Sequence, residues 1–194
     1  MRGLNLSYSG IRVASLFEYV AVVRLVSREE FLQKQPATFL LVNIEGRAEG
    51  RDRSFKTSTI SGTTAALAKA MATGAVKLSS QVGRFEVLPI VKGKDSPWAG
   101  RISIGRARNN DIVVDEASVS KMHAHFEQEG ADLAVTDAQS HNGVTVNGEK
   151  LVGGGRRTLK VGDALLLGAV VATYVDAGAL YDFIKKDVLQ EVVR

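Results

Sequence analysis

The stretch ISIGRARNNDIVVDEASVSKMHAHF at 102–126, followed by SHNGVTVNG at 140–148, decides the fold of this chain. Short β-type runs alternate here with turn residues, at a spacing too tight for helices between them. Strands this brief and this regular indicate an all-β sandwich or barrel. Asn142-Gly143 and Asn147-Gly148 favour tight turns with positive φ. Working outward, RFEVLPIV, DLAVTD, RRTLK, DALLLG and VVATYV repeat the pattern between Arg84 and Val175.

The loops of this stretch carry chemistry suited to an anion. A phosphate monoester presents three acceptor oxygens and roughly −1.5 to −2 charge near neutral pH. Arginine is its natural partner, because the planar guanidinium donates several hydrogen bonds in a fixed fork. Gly105 lets the backbone turn sharply before Arg106, Ser120 supplies a hydroxyl, and Asn142 offers both a donor and an acceptor to an extended main chain. All sit at strand ends or in loops, where sites usually assemble.

The combination GR (105–106), S-x-x-H (120–123), S-x-N-G (140–143), V-N-G (146–148) and GD (162–163) resembles the forkhead-associated (FHA) domain. The likeness runs from about Gln81 to Asp176 and implies a phosphothreonine-reading β-sandwich of about eleven strands. By that resemblance Arg106, Ser120 and Lys121 contact the phosphate, and Asn142 binds the peptide main chain. Gly105, His123 and Gly143 hold the loops in shape, and Gly162-Asp163 forms the turn before the closing strands. Where many members place threonines around the Asn-Gly pair, this chain has His141 and Val144. His141 can take the place of the hydroxyl as a donor to phosphate. The implied role is a phosphothreonine-peptide-binding adaptor in Ser/Thr-kinase signalling. Its partner would be a phosphothreonine-containing protein, a Ser/Thr kinase or its substrate. The alternative is an FHA-fold scaffold that binds a protein independently of phosphorylation.

Other chemistries find little support. His123 and His125 suggest a metal face, but structural sites want three or four ligands. With no cysteine, the only other histidine is His141. Nucleic acid would call for stacking aromatics and a basic field. Gly153-Gly154-Gly155 lacks the G-K-[ST] ending of a phosphate loop. No nucleophile–base or carboxylate pair stands out, so a non-enzyme without metal or cofactor is expected.

The remaining segments read differently. Ser27-Arg28-Glu29-Glu30 has capping-box spacing, and Pro36 stops a helix near 28–35. ATFLLVNIE (37–45) reads as a buried strand, a charged turn spans Gly46 to Gly50, SFKTSTI (54–60) returns as a strand, and 63–78 as a helix. Residues 11–26 suit helix or strand equally. The expected organisation is a small α+β unit over 1–80, the sandwich over 81–176, and a C-terminal amphipathic helix over 177–194, with Leu180, Phe183, Ile184 and Val188 at helical spacing. That helix packs either on the N-terminal unit or on a partner.

Composition sets the outer limits. With 45% hydrophobic and 24% charged residues, a chain of 194 residues builds a core and is no disordered polymer. Zero cysteines exclude disulfide frameworks and thiolate sites and fit a reducing, cytoplasmic compartment. The apolar run Val13 to Val26 is broken by Glu18 and Arg24 and is too short to span a bilayer. Net charge is +4, yet residues 81–176 hold 11 basic and 12 acidic side chains. Any anion preference there must come from local placement. The cations Arg47, Arg51, Arg53 and Lys56 with Phe55 read as a solvated hairpin edge.

Overall fold

The computed structural model describes residues 14–43, 85–94 and 96–189. The turn at 46–50, the strand at 54–60, the helix at 63–78 and the basic segment around Arg47 to Lys56 lie outside the described residues.

Two sheets face one another. One has seven strands in the order β1-β3-β2-β12-β11-β8-β9, built from Ala14–Ser15 (β1), Thr38–Asn43 (β2), Phe85–Pro89 (β3), Val144–Val146 (β8), Glu149–Lys150 (β9), Ala164–Leu167 (β11) and Val170–Asp176 (β12). The other has five, in the order β10-β7-β6-β4-β5: Ile102–Gly105 (β4), Ile112–Val113 (β5), Ala124–Glu129 (β6), Asp132–Asp137 (β7) and Arg156–Leu159 (β10). The short β4–β5 pair is parallel, whereas the neighbouring pairs are antiparallel. Every β-run read in the sequence from Phe85 onward forms a strand, and the mainly β class with about eleven sandwich strands holds.

One finding departs from the expected division of the chain. The strand at 38–43, assigned above to a separate N-terminal unit, is an interior strand of the sandwich. It pairs with β12 through Thr38 to Val42 and with β3 through Phe39 to Asn43. The reason lies in its composition. TFLLVN is apolar on both faces, and such a strand is stable only with both faces covered. Leu40 and Val42 point between the sheets, into a core with Leu88, Ile104, Phe126, Val135, Leu165 and Tyr174. Phe39 and Leu41 point outward, into a second core beneath a helical layer.

That layer is α1 (Leu16–Leu25), α2 (Arg28–Lys34) and α3 (Ala177–Phe183), which continues as a π turn over Ile184–Val188. Residues 16–25 are thus helix, decided by packing: Leu16, Tyr19, Val20 and Val23 face the sheet. The Ser27 hydroxyl caps α2, accepting from the Glu30 N–H at 3.2 Å. The reciprocal capping-box bond is replaced, because Glu30 pairs instead with Lys34 one turn on at 2.5 Å. The C-terminal helix packs on the N-terminal helices. The Phe31 and Tyr181 rings meet at a 58° tilt with centroids 5.4 Å apart, the Tyr181 hydroxyl donates to the Val26 carbonyl at 3.2 Å, and Arg28 pairs with Asp182 at 3.1 Å.

Candidate functional site

The strand ends of the sandwich bring together the loops 106–111, 114–123 and 138–143, and backbone bonds fasten them first. The N–H of Arg106 donates to the Ser120 carbonyl at 2.9 Å, and that of Ala107 to Lys121 at 3.0 Å. This approach needs Gly105: a Cβ there would lie 2.4 Å from the Lys121 carbonyl oxygen. The Asn110 amide bridges the same loops, donating to the carbonyls of Ala107 at 2.8 Å and Lys121 at 2.6 Å.

His123 is the pin between all of these loops. It is fully buried, its Nδ1 accepts from the Ser120 N–H at 3.0 Å, and its Nε2 meets the Gly143 carbonyl at 3.1 Å. Since Nδ1 accepts, Nε2 carries the proton and donates to Gly143, so the ring is neutral. Both nitrogens are engaged, which leaves neither for a metal. Among the described residues no group of three or more His, Cys, Asp or Glu side chains is placed to hold one.

The polar side chains stand around that pin. Arg106 is exposed and its Nε donates to the Val119 carbonyl at 3.2 Å, which fixes the plane of the guanidinium. No acidic side chain pairs with Arg106 or with exposed Lys121 among the described residues. The Ser120 Oγ accepts from the His141 N–H at 3.0 Å, so its own proton stays free to donate. The His141 ring is exposed. Asn142, expected to offer both a donor and an acceptor, gives one Nδ2 proton to the Ser118 carbonyl at 2.7 Å. That bond anchors the exposed Asn142 side chain to the loop before β6. Gly143 has φ +82°, the conformation an Asn-Gly turn calls for.

The structure thus gathers Gly105, Arg106, Ser120, Lys121, His123, His141, Asn142 and Gly143 at one end of the sandwich. It adds supports that pattern reasoning missed. Ser118 offers its carbonyl to Asn142 and its hydroxyl to the Ala169 N–H at 2.9 Å, tying in the β11–β12 turn. Buried Asp137 accepts from the Ser140 hydroxyl at 2.7 Å, and Ser140 Oγ accepts from the Gly143 N–H at 3.0 Å. Ser140 stood within the S-x-N-G motif. Nothing local marks Ser118, because its partners are 24 and 51 residues away.

Protonation equilibria follow from burial. Burial holds the His123 imidazole below its ordinary value, against the opposing pull of the Gly143 carbonyl and Asp137. Burial, then the Arg101 charge, does the same to His125, whose buried Nδ1 has no hydrogen-bond partner among the described residues. Burial pushes the Asp111 carboxyl up, but hydrogen bonds from the Ser103 and Gly93 N–H groups and the Ser103 hydroxyl bring it below 3.8. A histidine with a depressed folded pKa stabilises fully above about 6.5, and that contribution is lost as pH falls from there toward the folded value. Stability should therefore drop between pH 7 and 5, with each histidine adding a slope of at most about 1.4 kcal/mol per pH unit. Urea midpoints for the wild type and His125→Asn across that range check this: the variant should show the shallower fall, and parallel curves would clear His125 of any part. Asp111 weakens the fold only below about pH 4.

The FHA domain model matches residues 102–168. The transcriptional regulatory protein EmbR of Mycobacterium tuberculosis is 40% identical over 63 residues, which is 32% of this chain and 16% of the relative. The glycogen accumulation regulator GarA of Mycolicibacterium smegmatis is 45% identical over 47 residues, 24% of this chain and 30% of that protein. The chain thus spans less than a third of the length of these curated relatives. Among solved structures, EmbR of Mycobacterium tuberculosis in complex with a low-affinity phosphopeptide overlays with TM-score 0.42 at 23% identity, over 81% of this chain and 28% of that one. The FHA-2 domain of a Mycobacterium tuberculosis ABC transporter gives 0.36 at 31%, over 45% and 76%. The loops pinned by His123 and the strands that present them lie within residues 102–168, the span that matches the FHA domain family.

Proposed function

We propose that this chain binds phosphothreonine-containing peptides at the loop end of its sandwich, as an adaptor in Ser/Thr-kinase signalling. One observation carries the reading: an exposed guanidinium at Arg106, paired with no acidic side chain among the described residues, is fastened to a loop whose Ser120 hydroxyl keeps its proton to donate. Arg106, Ser120 and Lys121 meet the phosphate, the exposed ring of His141 adds a donor beside them, and Asn142 Oδ1 accepts from the peptide main chain. Gly105, His123 and Gly143 act by holding the loops. The partner is a kinase or one of its substrates, and the site performs binding without bond-making. The unit that binds comprises the sandwich over 81–176 together with β2, braced by the helical layer. No helix among the described residues is long and apolar enough to cross a membrane, and the proposed setting is cytoplasmic.

The test is a titration of a phosphothreonine peptide and its unphosphorylated twin against wild type and Arg106→Ala. Wild type should bind only the phosphorylated peptide, with a Kd on the order of micromolar or weaker. Charge-assisted hydrogen bonds contribute about 1.5–3 kcal/mol, so Arg106→Ala should weaken binding roughly 10- to 100-fold. Absence of phosphorylation-dependent binding in the wild type would sink the proposal. Binding of the unphosphorylated twin that survives Arg106→Ala would favour a phosphorylation-independent scaffold, a role to which His141 at the threonine position also leans.

A further inference from the structure

The recognition loops do not account for every cation at this end of the molecule. Lys150 lies on β9, a strand that returns from the Asn147-Gly148 turn toward the recognition end. It pairs in register with Thr145, and Gly143 is two residues before Thr145. Residues two apart share a sheet face, so Lys150 is the diagonal neighbour of Gly143. The side chain follows that diagonal. Its Cε lies 2.4 Å, and its ammonium nitrogen 3.1 Å, from where a Cβ on Gly143 would stand. The aliphatic stem therefore occupies the space that glycine leaves empty, directly beside Asn142.

An exposed lysine is usually a solvated point charge with many rotamers. Here the stem rests on the Gly143 backbone, which restricts where the ammonium can go. The charge also has no rival claim. Its neighbour Glu149 is engaged by Arg157, and no acidic group pairs with Lys150 among the described residues. Arg106 and Lys121 are carried by the loops that follow β4 and β5. Lys150 instead reaches the Asn142-Gly143 turn from the other sheet, from a strand rather than from any of the three loops.

We propose that Lys150 is a specificity-determining residue that selects an acidic side chain flanking the phosphothreonine. The inference rests on the phosphopeptide reading above and deepens it. An extended peptide held by Asn142 at its main chain must pass the Gly143 turn, where the Lys150 ammonium waits for a carboxylate. The preferred substrate class is then an acidic phosphopeptide. Since residues 81–176 carry nearly balanced charge, this preference arises from one placed cation rather than from a basic field.

The experiment uses the full chain and an alanine-flanked phosphothreonine peptide, with an aspartate substituted in turn at each flanking position. The readout is the affinity ratio of each aspartate peptide to its alanine parent, in wild type, Lys150→Met and Lys150→Glu. In the wild type at least one position should gain roughly 3- to 10-fold, and added salt should reduce that gain. Lys150→Met keeps the stem on Gly143 and should abolish the gain at that position; Lys150→Glu should turn it into a penalty. A gain that persists undiminished in Lys150→Met, or a wild type with no aspartate preference anywhere, overturns the assignment while leaving phosphopeptide binding intact. A wild type that binds no phosphopeptide at all overturns both, which separates the two failures.

Discussion

A chain shortened to begin at residue 81 is expected to show no cooperative unfolding transition, although it retains every residue of the 102–168 family match. The reason is the position of β2. Without it, β3 loses its partner along Phe85–Pro89 and β12 along Ala172–Asp176, and buried backbone N–H and C=O groups stand unpaired. Both cores open at once, since Leu40 and Val42 leave the space between the sheets while Phe39 and Leu41 leave the helical side. Phe39→Ala is the graded version. Phe39 is fully buried and packs edge-on against Tyr19 at 5.7 Å, so its truncation should cost about 3–5 kcal/mol. For a chain of this length that corresponds to a fall in Tm of roughly 6–20 °C. Val152→Ala, at a side chain 82% exposed, should stay within about 0.5 kcal/mol. Urea denaturation of these variants decides the matter. A fragment 81–194 that unfolds with wild-type midpoint and slope would mean that β2 is dispensable.

Gly105→Ala should be the most damaging single change at the recognition end. The added Cβ would sit 2.4 Å from the Lys121 carbonyl oxygen and 3.0 Å from the His123 nitrogen, both backbone atoms with no rotamer to escape into. Overpacking of this kind costs about 1–3 kcal/mol. The two bonds that fasten the loops, from Arg106 and Ala107 to Ser120 and Lys121, would lengthen and forfeit about 1 kcal/mol each. The total, about 3–5 kcal/mol, should be read in urea midpoints. In the same variant phosphopeptide affinity should fall at least about tenfold, because Arg106 and Ser120 move apart. Unchanged stability together with unchanged binding would show that the loops tolerate the separation.

These two positions mark where sequence reasoning was strong and where it stopped. Gly105, Arg106, Ser120, His123 and Asn142 were legible because each sits in a short motif whose spacing matches a loop requirement. The structure gathers them at one end of the sandwich. Strand positions from Phe85 onward were legible for a similar reason: period-two alternation and Asn-Gly turns are local signals. The capping of α2 was half legible. Ser27 caps as its type predicts, while Glu30 pairs with Lys34 one turn on.

What local pattern could not carry is pairing between distant segments. TFLLVN announces a strand, but nothing within it says that β12, some 130 residues later, is its neighbour. Whether residues 11–26 became helix or strand depended on the sheet face that Leu16 and Val23 would cover. The choice between a partner and the N-terminal helices for α3 was settled by Tyr181 and Asp182 meeting Val26 and Arg28. Ser118 and Lys150 belong to the same class, since each matters only through residues brought beside it by strand register.

By itself, then, the sequence determined the β-sandwich class of the C-terminal half and pointed to the loop residues proposed to meet a phosphate. Those properties are written in side-chain type and short spacing. Only the tertiary structure decided that the strand from Thr38 joins the sandwich, that His123 stands neutral as the pin between loops, and that Lys150 lies against Gly143. Hydrogen-bond ladders and core contacts join residues far apart along the chain, and their energy is absent from any one segment read alone.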